Sequence, residues 1–236
     1  MDKQTIRERV WREMEAKGVV TFPRPARGRI PNFVGSRDAA MRLRSLPAYK
    51  PAKTIFVNPD AAQMAVRELA LRDGKRLIMA TPRLRKGFIT LDPTKIKDAT
   101  EAVSIKGAFK HGQPADIRKL KVDSIVEGSV AVDPSGGRLG KGSGWGDLEH
   151  AILREYEAVD RGVPVATTVH DLQVLDLAIP MTPHDIPVDF IATPTRLIDT
   201  KTHHIRPDGI IWEELDELQI KNVPLLQEMR KLRHQI

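Results

Sequence analysis

KTIFVNPDAAQMAVRELALRDGKRLIMAT, residues 53–81, changes its pattern twice within 29 residues. Residues 53–58 are a short β-branched apolar run and read as a strand. Residues 59–75 open on Pro59, end at Gly74 and read as a helix. Residues 76–81 are a second short apolar run and a second strand. The same alternation continues outward. Residues 122–132 read as a strand running into a glycine-rich loop, and 147–160 as a helix with Leu148, Ala151, Ile152, Tyr156 and Val159 on one face. Residues 163–169 and 188–194 read as buried strands. Short apolar strands alternating with helices predict the α/β class, with a mainly parallel central sheet and helices on both faces.

The flanks are helical or irregular. Ile6, Val10 and Met14, with Trp11 beside them, predict an amphipathic helix over 3–17 that Gly18 stops. Residues 22–35 hold three prolines and three arginines and read as a basic loop anchored by Phe22, Ile30 and Phe33. Ser36 is placed to cap a helix reaching about Leu46. Residues 213–233 read as charged helix broken at Pro224. With no internal repeat, the 236 residues are expected to form one domain over 1–236.

Composition narrows the partners. The formal net charge is +7, which favours an anionic ligand: a nucleotide, another polyanion or nucleic acid. The absence of cysteine excludes disulfides, thiolate catalysis and zinc-thiolate sites. The start is charged and lacks an apolar leader core, and no apolar run approaches the ~18–20 residues of a membrane span. A cytoplasmic protein without a membrane partner is expected. Aromatic residues make up only 5% of the chain, a poor supply of base-stacking platforms, so nucleic acid ranks below a small anion.

The chemistry concentrates in SGGRLGKGSGWGDLEH, residues 135–150. Neither the Walker A spacing nor G-x-G-x-x-G fits it. What remains is G-x-G-x-G-x-G between a strand and a helix. Glycines let backbone N–H groups converge on an anion, the helix adds its positive end, and Arg138 and Lys141 add mobile charge. Asp147 is placed to hold Mg²⁺ or to cap the helix.

GGRLGKGSGWGD resembles the ATP loop of the 5-formyltetrahydrofolate cyclo-ligase family, G-x-R-L-G-x-G-x-G-Y-Y-D. KQTIR at 3–7 is similar to the family's K-x-x-L-R, and PHDIPVDFIATP at 183–194 to its H-D-x-x-V-D-x-I-x-T. FPRP, RIPNFVGS, TPRLRKG, GSVAV and VDFIATPTRLI point to the branch of methenyltetrahydrofolate synthetase domain-containing proteins. The resemblance implies a three-layer Rossmann-like fold. It also implies a ligase that uses ATP and Mg²⁺ to close 5-formyltetrahydrofolate to 5,10-methenyltetrahydrofolate, as a monomer or homodimer.

Residue by residue, the resemblance assigns ATP binding to Lys3, Arg7, Arg138, Leu139, Gly140, Lys141, Gly142, Ser143, Gly144, Trp145 and Gly146. Lys141 and Arg138 would act on the transferring group. Asp60, Lys141, Gly142 and Trp145 would hold the folate, and Asp147 and Asp185 the Mg²⁺. The sequence departs from the family where Trp145-Gly146 replaces the tyrosine pair, where Leu148 replaces an arginine and where Asp60 replaces a glutamate. These departures keep a second class of function open: a non-catalytic or re-purposed domain that binds a nucleotide, a pterin or RNA through the loop.

Overall fold

A computed structural model describes residues 1–233; residues 234–236, the end of the expected domain, lie outside the described residues. In chain order the elements are α1 (Lys3–Ala16), α2 (Ser36–Arg44), β1 (Thr54–Val57), α3 (Met64–Arg72), β2 (Arg76–Ala80), β3 (Phe88–Leu91), α4 (Ala99–Ala102), α5 (Ile105–His111) and β4 (Gln113–Pro114). They continue with β5 (Ser124–Glu127), β6 (Ala131–Val132), β7 (Arg138–Leu139), α6 (Trp145–Glu155), β8 (Val165–Thr168), β9 (Phe190–Ala192), β10 (Leu197–Asp199), α7 (Glu217–Asn222) and α8 (Pro224–Arg233).

One sheet has the order β10-β9-β8-β5-β1-β2-β3-β4. Its centre, β9-β8-β5-β1-β2, is parallel throughout. Side chains alternate across it. Ile55 and Val57 of β1 pack with α2, α3, α4 and α5 on one face, while Phe56 packs with α6, α7 and α8 on the other. Both faces are covered, and that is why these strands read as apolar runs without alternation. The three-layer α/β expectation is met. The antiparallel edge strands β3, β4 and β10 are an addition the sequence reading did not contain.

The expected helices 59–75 and 147–160 are shorter than read: α3 runs Met64–Arg72 after a 3-10 turn at Ala61–Gln63, and α6 ends at Glu155, so Tyr156 and Val159 pack from beyond the helix. Three further boundaries moved for physical reasons. The expected strand 122–132 is two strands. After Glu127 the chain leaves the sheet because Gly128 N donates to Asn58 Oδ1 at 2.6 Å. Ala131 and Val132 then pair with Leu139 and Arg138 in a separate two-stranded sheet. Helix α6 begins two residues before Asp147, because Gly144 takes a left-handed φ of +67° and caps it. Gly35, not Ser36, occupies the cap position of α2. Elsewhere the breaks fall as expected: Gly18 stops α1, and Pro224 opens α8 at the position where a missing N–H costs nothing. No described helix is long and apolar enough to cross a membrane.

A third apolar cluster fixes the first helix. Ile6, Val10, Trp11 and Met14 of α1 pack with Ile30, Phe33, Val130, Ala131 and Leu139. Trp11 Nε1 also donates to Arg29 O at 3.0 Å. The basic loop 22–35 is thus part of the packing that seats α1, as its apolar anchors implied, although Phe22 itself is exposed.

Candidate functional site

The strand order reverses at β1, with β2 on one side and β5 on the other. Such a reversal leaves a crevice at the carboxyl ends of the strands. Here it is a cleft of about 790 Å³. Asn58 and Asp60 line it from β1, Gly128 from β5, Lys3 and Arg7 from α1, and 140–147 from the glycine loop and α6.

The loop is shaped by α1. Arg7 Nε donates to Gly140 O at 2.8 Å. A side chain at 142 would start 3.2 Å from the Arg7 guanidinium and would need the left-handed φ of +97°, so only glycine suits that position. No side chain caps α6, leaving its first N–H groups and the positive helix end available to an anion. Lys141 Nζ stands 3.2 Å from Asp60 Oδ1 with its side chain 35% exposed, the arrangement of a cation able to exchange partners. Lys3 donates to Asp185 and, at 3.2 Å, to Thr182 Oγ1. Burial pushes the Asp185 carboxyl up, but bonds from Lys3 and Thr182 outweigh it and hold the group below its ordinary range.

Two of the expected ATP contacts lie on a strand. Arg138 and Leu139 form β7, which leads into the loop; Arg138 still borders the cleft, whereas Leu139 is not among the residues lining it. Arg138 is not a mobile cation: its side chain is 3% exposed. Nε donates to Ile186 O at 3.0 Å, Nη1 to Gly128 O at 2.8 Å and Nη2 to Asp147 Oδ1 at 2.5 Å. A guanidinium so engaged fixes three chain segments together and has little left to offer a phosphate. What the structure corrects is the expected mobility of this charge: Arg138 borders the cleft, but its guanidinium is held by these three partners. The Leu139 side chain is buried against α1, as its apolar character requires.

Asp147 and Asp185 both border the cleft. Oδ1 of Asp147 takes Arg138 and, at 3.1 Å, the N–H of Ile186, next to Asp185. Bonds to Asp185 from Lys3 and Thr182 fall on Oδ2. Each carboxylate therefore keeps a second oxygen. Among the described residues no group of three or more acidic or histidine side chains forms a closed metal cage. Two carboxylates beside an anion site suit Mg²⁺, which keeps water and takes phosphate oxygens as its remaining ligands.

The sequence reading missed the acidic floor. Glu127 ends β5 fully buried, both carboxyl oxygens without a hydrogen-bond partner and Arg138 Nη1 3.9 Å away. Burial pushes its pKa up to about 8. Glu149 of α6 borders the cleft, is 4% exposed and accepts from Asn58 Nδ2 at 2.8 Å. Burial, then the charges of Glu127 and Asp60, raise it well above the carboxylate range. A Cβ at 146 would stand 2.9 Å from Glu127 Oε2, so a side chain there would force the buried carboxyl to shift. The signal was present in the sequence: a lone glutamate inside the apolar run SIVEGSV.

A mainly parallel α/β sheet with a glycine-rich loop at its switch point defines the broad class. The sequence pattern of the 5-formyltetrahydrofolate cyclo-ligase family matches residues 1–194, and the chain belongs to that family. It is 42% identical over 237 residues to the methenyltetrahydrofolate synthase domain-containing protein of Mus musculus, covering 98% of this chain and 64% of that protein. The Bos taurus protein of the same name is 42% identical over 241 residues, covering 100% of this chain and 63% of that protein. The chain thus spans under two thirds of these relatives. Among solved structures, Aquifex aeolicus 5,10-methenyltetrahydrofolate synthetase superposes with a TM-score of 0.54 at 20% identity, over 91% of this chain and 100% of that one. These likenesses agree with the fold described above.

Proposed function

We propose that this protein uses Mg-ATP to close 5-formyltetrahydrofolate to 5,10-methenyltetrahydrofolate, releasing ADP and phosphate. The observation that carries the reading is the convergence of Lys3, Arg7 and Lys141, from α1 and the glycine loop, on one cleft with Asp147 and Asp185. Membership of the cyclo-ligase family supplies the reaction class.

The reaction asks for fixed positive charge. The formyl oxygen attacks the γ-phosphorus and ADP leaves. N10 then attacks the activated carbon, loses its proton, and the former formyl oxygen departs with phosphate. Charge builds on the phosphoryl oxygens, so preorganised donors are worth more than donors that must be recruited. Lys3, Arg7 and the first N–H groups of α6 bind the triphosphate in this scheme. Lys141 leaves Asp60 for the transferring group, freeing Asp60 to accept from the folate. Mg²⁺, held by Asp147 and Asp185, would neutralise phosphate charge. Trp145 offers its ring face to the pterin or the adenine.

Gly146 and Glu127 favour a second reading. Where the family has a tyrosine, this cleft has no side chain and a buried acid behind the gap. A loop that retains Mg-ATP while acting on a different heterocycle fits that change.

Purified protein with Mg-ATP and 5-formyltetrahydrofolate should develop the near-ultraviolet absorbance of the methenyl product, and Lys141→Ala should lose it. Nucleotide binding without product overturns the folate reading and leaves the second one.

A further inference from the structure

We propose that the turn 81–87, TPRLRKG, is a second anion subsite of the cleft, which takes the carboxylate-bearing tail of the substrate through Arg83; this rests on the folate reading above. Arg83 borders the same cleft as the glycine loop and is exposed. Of the other cleft cations, Lys3 pairs with Asp185, Lys141 with Asp60 and Arg138 with Asp147, and Arg7 donates to Gly140 O and Gln4 Oε1. Among the described residues Arg83 carries no carboxylate partner of this kind.

Its backbone is unusual. Arg83 takes φ 54° and ψ 28°, and Leu84 follows at φ 53°. Two successive left-handed residues that are not glycine are costly, and such strain collects at binding sites. The turn is held from both ends. Leu84 is fully buried in the core. Thr81 N and Thr81 Oγ1 donate to Gly87 O at 2.9 and 2.8 Å, and Lys86 N donates to Thr81 Oγ1 at 3.0 Å. Burying Leu84 in this way leaves Arg83 at the cleft.

The position suits a tail rather than a phosphate. The turn follows β2, while the chain that leads to the glycine loop leaves β5. In the sheet β1 lies between them, so two strand spacings, about 10 Å, separate the two roots. That is more than a triphosphate anchored on Lys3 and Arg7 needs, and it matches an aryl group followed by carboxylates. Ile105, 43% exposed, borders the same cleft and offers an apolar ledge for the aryl portion.

Arg83→Gly separates the roles, because glycine accepts φ 54° without strain. The melting temperature should hold or rise. With 5-formyltetrahydropteroate as the tail-free probe and the mono- and triglutamyl 5-formyltetrahydrofolates as tailed ones, the wild type should show a lower KM for tailed substrates. Arg83→Gly should reduce that preference about fivefold to tenfold, as for a charge-assisted bond partly screened by water. The KM for Mg-ATP should not move. An unchanged preference, or equal losses for tailed and tail-free substrates, overturns the subsite. If the wild type turns over neither, the cyclo-ligase reading fails and calorimetric binding of the same ligands decides. A tail-dependent affinity lost in Arg83→Gly sustains the subsite; no tail-dependent affinity overturns it.

Discussion

Glu127 illustrates how much one buried side chain can govern. A carboxyl with a folded pKa of about 8 holds its proton where the unfolded chain, with the ordinary value near 4.5, has lost it. The folded state therefore binds more protons between those values, and stability falls as pH rises through that window. Glu127→Gln should flatten the pH dependence of the melting temperature between about pH 5 and 8. Its advantage over wild type should be largest at the alkaline end; parallel curves would contradict the assignment. Arg138 sits at the same scale. Arg138→Met keeps the bulk but leaves Asp147 and the carbonyls of Gly128 and Ile186 without their donor. A loss of about 3–5 kcal/mol in chemical denaturation is expected, as for a buried pair broken on one side. Asp147→Asn keeps the shape and removes a charge. It should weaken Mg-dependent nucleotide binding while the far-ultraviolet circular dichroism stays native. Equal nucleotide affinity with and without Mg²⁺ in the wild type would remove the metal role from Asp147.

Helices decide the loop's geometry at the next scale. Lys3 and Arg7 are four residues apart on α1, so they share a face. The apolar residues Ile6, Val10 and Met14 bury the adjoining stripe and aim those cations into the cleft. Unseating the helix should therefore affect function before it unfolds the sheet. Trp11→Ala removes a 4% exposed indole from this contact and should cost about 3–5 kcal/mol. It should also raise the KM for Mg-ATP, although Trp11 is not among the residues lining the cleft. A stability loss without a nucleotide effect would mean that α1 does not position the loop. The amphipathic pattern of this helix was plain in the sequence. That it forms a wall of the cleft followed only from its packing on β6 and β7.

At the scale of the molecule, the alternation of short apolar strands with helices was sufficient to predict a parallel sheet covered on both faces. Burial on two faces leaves a periodicity that local sequence carries by itself. The glycine spacing, KQTIR and PHDIPVDFIATP likewise marked the segments that meet in the cleft, because close backbone approach and fixed charge demand particular residue types. The sequence alone left three matters open, each a question of which distant segments touch. The 122–132 run splits because Asn58, some 70 residues away, captures Gly128. Arg138 reads as a phosphate ligand in a string of glycines, yet its guanidinium is engaged by Gly128, Ile186 and Asp147, from separate parts of the chain. The acidic floor under Gly146 exists because β5, β1 and α6 bring Glu127, Asn58 and Glu149 together. Local pattern is set by which side of an element meets water, and one chain suffices to encode it. The protonation and reach of a charged group are set by its neighbours in space, and those are decided only when the chain closes on itself.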